Sequence, residues 1–162
     1  MSPEADFKEG GFAEGGFTED GFTEDGFRPA FGIVELAALA AHEQTMPDHL
    51  AELTAEISRD GELRQPIVVD RRSLVILDGH HRAAALRALG CTLIPAWLVD
   101  YRHPAVVVLP RRPDIPVTKE AVVHTGTSGR LFPPKTTRHV LPGCRPARPT
   151  PLGLLGLGGN KP

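Results

Sequence analysis

The chain is 162 residues long and 41% apolar, and its 18 basic and 20 acidic side chains leave a formal net charge of −2. That length suits one domain with tails and a modest core. The near-neutral balance argues against wholesale attraction to nucleic acid or membrane surfaces, and no apolar run is long enough to span a bilayer.

The first 27 residues are a repeat in which phenylalanine recurs every fifth position, at Phe7, Phe12, Phe17, Phe22 and Phe27, between acids and glycines. That period fits neither a helix face nor a strand face, so residues 1–30 are expected to be a disordered acidic extension. Phenylalanines spaced by acids also suit short partner-binding stickers; a low-complexity extension is the plainer reading. The ordered domain is expected over residues 31–141. Residues 142–162, rich in proline, glycine and leucine, read as a flexible tail.

Within the domain, Ile33, Val34 and Leu36 mark a first strand. A polar loop follows, containing His42, Glu43, Gln44 and Thr45. Met46-Pro47-Asp48 opens a helix with proline in its permitted first turn; Leu50, Leu53 and Ile57 form its buried face, and Asp60-Gly61 ends it. Ile67, Val68 and Val69 predict a strand, with residues 74–77 as its hairpin partner. Residues 96–100 predict another strand, with Trp97 as core or pocket wall. Residues 105–109 read as a buried strand, Thr118 as the cap of a short helix, and residues 124–129 as a polar turn. Cys91 and Cys144 are far apart and lack a CxxC partner, which argues against a zinc knuckle; Cys91 reads as a small buried hydrophobe. So few cysteines and no secretory signal predict a reduced, cytoplasmic chain.

The chemistry concentrates in residues 74–90, LVILDGHHRAAALRALG. A buried strand runs into Asp78-Gly79 and then into a helix beginning at His80. The first turn of such a helix carries unpaired N–H groups and the positive end of the dipole. Arg82, His80 and His81 at that end suit an anion, most simply a phosphate, and Asp78 suits Mg²⁺ or a ribose hydroxyl. The plainer alternative is a capping Asp78 with solvated histidines. A second loaded segment, RLFPPKTTRH at 130–139, presents Lys135, Thr136, Thr137, Arg138 and His139 as donors for anionic oxygens.

DGHHRAAALRALG, followed by IPAWLVDY and then LFPPKTTRH, resembles the ParB/sulfiredoxin-like nucleotide-binding superfamily, and within it the free L-serine kinases; the similarity spans about residues 34–140. The resemblance implies an α/β (α+β) fold, a small mixed sheet with flanking helices between disordered tails. It implies ATP or ADP with Mg²⁺, and phosphoryl transfer to L-serine. Glu43 would be the general base, oriented by His42 and Thr45, with His80 beside it in the catalytic set. Asp78, Gly79, His80, His81, Arg82, Lys135 and Thr136 would hold the nucleotide, Asp78 also the metal, and Arg138 and His139 the amino acid or the transferred group. Sulfiredoxins carry their cysteine inside the phosphate loop, where this chain has histidine, which argues against redox chemistry at Cys91. The alternative is a ParB-like nucleotide-binding regulator, associated with DNA. No recognition helix can be placed after Leu89, which argues against specific DNA binding.

Overall fold

A computed structural model describes residues 26–142 and 146–157. In chain order the elements are β1 (Ala30–Glu35), α1 (Pro47–Asp60), β2 (Glu62–Leu63), β3 (Ile67–Asp70), β4 (Ile76–Asp78) and α2 (His80–Ala88). They continue with β5 (Leu93–Val99), β6 (Val107–Pro110), α3 (Lys119–Thr127), β7 (Thr137–Val140) and β8 (Thr150–Pro151). This is the mixed α/β fold the sequence predicts.

The central sheet has the order β1-β5-β3-β4, with β3 and β5 parallel and both outer pairs antiparallel. The inner strands β3 and β5 read as continuous apolar runs because both faces are covered there. On one face Ile67, Val69, Ile76, Ile94 and Ala96 pack with Leu36, Ile57, Ala83 and Leu86. On the other, Val68, Val75, Leu77, Trp97 and Val99 pack with Tyr101, Val106 and Val122. The strand period of two thus divides one sheet between two cores.

The helix ends follow the expected chemistry. Pro47 opens α1, whose last turn closes on Gly61 in the left-handed region, its N–H donating to Ile57 O at 2.9 Å. Thr118 caps α3, its hydroxyl accepting from Ala121 N at 3.0 Å.

Four expectations need correction. Residues 105–109 do not form a buried strand of the main sheet: β6 starts at Val107 and pairs only with β7, leaving Val107 and Leu109 exposed. The 124–129 turn is largely helix, since α3 continues to Thr127 and buries Gly126 against Val75. The stretch after residue 142 is not a free tail where it is described. Strand β8 pairs with β2, Thr92 N donates to Leu155 O at 2.9 Å, and Leu152 and Leu155 are buried in the first core. At the other end Phe27, assigned to the acidic repeat, is only 1% exposed within the second core. The rest of that repeat, residues 1–25, lies outside the described residues, as do Cys144 and the last five positions.

Candidate functional site

The loop between β1 and α1 is stitched to the rest of the domain along its length. Ala40 N donates to Leu74 O at 3.0 Å and Ile76 N to Ala40 O at 2.8 Å, which lays the loop beside the start of β4. Phe132 N donates to His42 O at 2.8 Å and Gln44 N to Phe132 O at 2.9 Å, which binds it to the approach to β7. A polar loop thereby becomes as fixed as a strand, and it carries Glu43.

Glu43 is held by three donors. Lys135 N reaches Oε2 at 2.7 Å, Thr137 N reaches Oε1 at 3.1 Å, and Thr137 Oγ1 lies 2.8 Å from Oε1. A carboxylate oxygen has two lone pairs. Thr137 engages both on Oε1 when its hydroxyl proton points there, whereas Oε2 keeps one lone pair beyond its bond to Lys135 N.

The histidine pair does something the sequence does not reveal. His80 Nε2 accepts from His42 N at 3.1 Å, and His81 Nε2 accepts from Met46 N at 2.9 Å. Two consecutive side chains at the start of α2 thus clamp both ends of the Glu43 loop. An imidazole that accepts at Nε2 must be neutral, with its proton on Nδ1. Burial pushes the His80 pKa well below the ordinary histidine value, with His42 and His139 next to it adding to the effect. Burial, and then His49 stacked edge-on at 4.4 Å, lowers His81 as well. The pair is therefore a neutral clamp, and each ring keeps an Nδ1–H as a hydrogen-bond donor.

Gly79 makes the turn possible. Its φ is +113°, and a Cβ there would sit 2.3 Å from Ile67 Cγ2, so the strand-to-helix turn packs directly on β3. Arg82 lies one turn into α2, with Nη1 donating to Pro66 O at 3.3 Å and Nη2 3.7 Å from Asp78 Oδ2.

These parts enclose a cavity of about 600 Å³. Asp78, Gly79, His80, His81 and Arg82 form one wall, from the end of β4 through the first turn of α2. Glu43, Lys135, Thr137 and Arg111 face it, and Met46, Leu53 and Leu77 supply apolar surface. An apolar patch beside a helix N-terminus and two cations has the layout of a site for an anion joined to a flat or aliphatic group.

Most of the expected site residues meet here; three do not. Thr136 is fully buried and donates its hydroxyl to Pro133 O at 2.7 Å, so it stiffens the loop and does not line the cavity. Arg138 is exposed on β7, opposite Leu109 and outside the cavity lining. His139 lies inside, with Tyr101 Oη 2.8 Å from its Nε2; burial, reinforced by His42, lowers its pKa to about 3. A half-buried neutral imidazole of this kind offers no charge to a substrate. Thr137, which the sequence presents as one donor among five, is the residue that reaches Glu43. Strand alternation separates it from its identical neighbour, and a one-residue ambiguity in register conceals that difference. The bond from Arg111 N to Thr136 O at 2.8 Å brings Arg111 to the cavity rim.

The donor set fits a nucleotide better than a metal held by protein alone. Among the described residues no group of three His, Cys, Asp or Glu side chains is arranged to hold an ion. Asp78, 58% exposed at the rim, provides one carboxylate, which matches Mg²⁺ held mainly by phosphate oxygens and water. Cys91 is buried, and burial raises its thiol pKa, as expected of an inert packing residue. No helix among the described residues is long and apolar enough to cross a membrane.

Fold and cavity together define a small α/β domain with a polar cavity at a strand–glycine–helix turn. Residues 33–109 match the model of the ParB N-terminal domain. A ParB-like protein of Sulfolobus acidocaldarius is 43% identical over 70 residues, covering 43% of this chain and 35% of that protein. An ATP-dependent L-serine kinase of Staphylothermus marinus is 33% identical over 73 residues, covering 43% of this chain and 29% of that protein. The chain thus matches about a third of the length of these curated relatives. Among solved structures, a glutamate-to-glutamine mutant of a free serine kinase in complex with AMP shares the fold, with a TM-score of 0.70 at 18% identity over 77% of this chain and 93% of that one.

Proposed function

We propose that the protein is a small-molecule kinase that transfers a phosphoryl group from ATP or ADP to the hydroxyl of free L-serine, giving O-phospho-L-serine. The observation that carries this reading is the presence of Glu43, the first turn of α2 and Lys135 around one cavity. The names of the serine-kinase relatives and the AMP-bound fold neighbour support the choice of nucleotide and acceptor.

The residues divide the work as phosphoryl transfer demands, which is positioning and charge neutralisation. The first-turn backbone of α2 and Arg82 receive phosphate oxygens at the positive end of the helix. Lys135 and Arg111 stabilise the charge that spreads over the transferred group. Met46, Leu53 and Leu77 exclude water beside it. Glu43 Oε2 accepts the serine hydroxyl proton as the new O–P bond forms and the P–O bond to the departing nucleotide breaks. Asp78 is the side chain placed to ligate Mg²⁺, which when bound would neutralise the phosphate oxygens. His80 and His81 keep the base loop in register.

A non-catalytic nucleotide-binding regulator acting with DNA is the second reading, favoured by the relative named ParB-like. A panel assay separates the two. The full chain is incubated with Mg²⁺, γ-labelled ATP or β-labelled ADP, and L-serine, L-threonine or L-homoserine. The kinase reading predicts labelled product with L-serine foremost. Nucleotide binding with no labelled product from any acceptor, together with salt-dependent DNA retention, favours the regulator.

A further inference from the structure

We infer that His42 acts through the Thr137 hydroxyl to set how many hydrogen bonds the Glu43 carboxylate carries, which makes His42 and Thr137 positioning residues that tune the proton-accepting step. This rests on the kinase reading of the same cavity. The His42 ring is fully buried and outside the cavity lining. Its Nδ1 lies 2.8 Å from Ile76 O, an oxygen that can only accept, so Nδ1 bears a proton. The other ring nitrogen, Nε2, lies 3.0 Å from Thr137 Oγ1, and that same oxygen lies 2.8 Å from Glu43 Oε1.

Thr137 has one hydroxyl proton and two acceptors competing for it. While His42 is neutral, the proton can turn to Nε2, and Glu43 then holds only the bonds from Lys135 N and Thr137 N. Once His42 is protonated, Nε2–H donates to Thr137 Oγ1, and the hydroxyl proton has one remaining acceptor, Glu43 Oε1. The carboxylate then carries all three bonds, and a carboxylate more fully hydrogen-bonded in its charged form is a weaker base. His42 protonation therefore turns the base down without touching substrate.

The groups facing the His42 ring are Glu43 from its own loop, with Oε1 3.8 Å from Nε2, His80 from α2 at a centroid distance of 4.6 Å, and His139 from β7 at 5.8 Å. Both neighbouring histidines are held neutral, so Glu43 supplies the charge that His42 faces. Burial lowers the His42 pKa and Glu43 works against it, which sets the switch on the acid side of neutrality.

The test is nitrogen NMR of the His42 ring across pH in the full chain, for the wild type, Thr137→Val and Thr137→Ser, each with and without Glu43→Gln. Removing the Glu43 charge should lower the His42 titration midpoint in the wild type and in the serine variant. In the valine variant the direct attraction across 3.8 Å remains and the part relayed by the hydroxyl is lost, so the shift should be smaller than in the other two. Equal shifts in all three backgrounds overturn the inference. Thr137→Ala replaces the valine variant should valine disturb packing. Kinetics give the second readout: the acid-side fall of kcat, at unchanged KM, should become shallower in Thr137→Val and return in Thr137→Ser. Absence of phosphoserine from the wild type, with the NMR coupling intact, defeats the kinase reading and leaves the coupling standing. Product without coupling does the reverse.

Discussion

Lys135 donates its backbone N–H to Glu43 Oε2 at 2.7 Å while its side chain lines the same cavity, and it does so at a φ of +59°. A non-glycine residue in the left-handed region costs about 1–2 kcal/mol. Here that conformation turns the N–H onto the carboxylate, so one residue orients the base and presents an ammonium. Lys135→Ala keeps the first role and loses the second. The expected result is a fall in kcat of about 10- to 100-fold, the range of a lost charge-assisted hydrogen bond, with the stability of the fold little changed. Steady-state kinetics beside urea unfolding checks both halves.

The histidine clamp makes a different prediction. His81→Ala leaves Met46 N without its acceptor and frees one end of the Glu43 loop. Turnover should fall by about 10-fold or more, as expected when a positioned base loses register, while nucleotide affinity stays near the wild-type value. Isothermal titration with AMP, set against kcat for the same variant, measures the split.

Acid should destabilise this domain in a defined window. His139 has its ordinary pKa near 6.5 when unfolded and about 3 when folded, chiefly because it is buried. Between those values the unfolded chain binds more protons, so stability falls as pH falls from about 6.5 towards 3. His80 and His42 have folded pKa values displaced in the same direction and add to the slope. Urea midpoints measured at several pH values should drop through this range, and His139→Gln should drop less steeply.

Gly79 tests the packing of the turn itself. Alanine there would place its Cβ 2.3 Å from Ile67 Cγ2 at a φ that side chains rarely adopt. Gly79→Ala should cost about 2 kcal/mol or more, combining overpacking with backbone strain. Thermal unfolding reads the loss directly.

Much of this fold was legible before any coordinates. The apolar runs at β3 to β5, the proline start and glycine stop of α1 and the strand–glycine–helix turn all express local rules, and they held. The failures share a cause. Strand β6 reads as buried because AVVVL is apolar, yet burial depends on where the strand docks, and it docks beside β7 at the surface. The leucines after residue 150 have no clean period because they sit in and just after a 3-10 turn, anchored by the pairing of β8 with β2 and by Thr92. Likewise, the adjacency of His80 and His81 gives no sign that both rings bind the Glu43 loop. Their acceptor atoms meet a loop 35 to 38 residues away in sequence.

The docked C-terminal segment carries its own prediction. Leu155 is fully buried against the first core. Leu155→Ala should destabilise the domain by about 2–5 kcal/mol, the usual cost of a large-to-small change in a packed interior. Denaturant unfolding checks this, and a change near zero would show that the segment contributes little to the core.

Phosphorus NMR of the full chain with Mg²⁺, L-serine and ATP or ADP, run beside Glu43→Gln, bears most directly on the central proposal. The account predicts an O-phospho-L-serine resonance from the wild type. It predicts loss of that resonance by about 100-fold or more in the variant, with AMP binding retained. Equal product from both proteins, or none from the wild type with either donor, would contradict it.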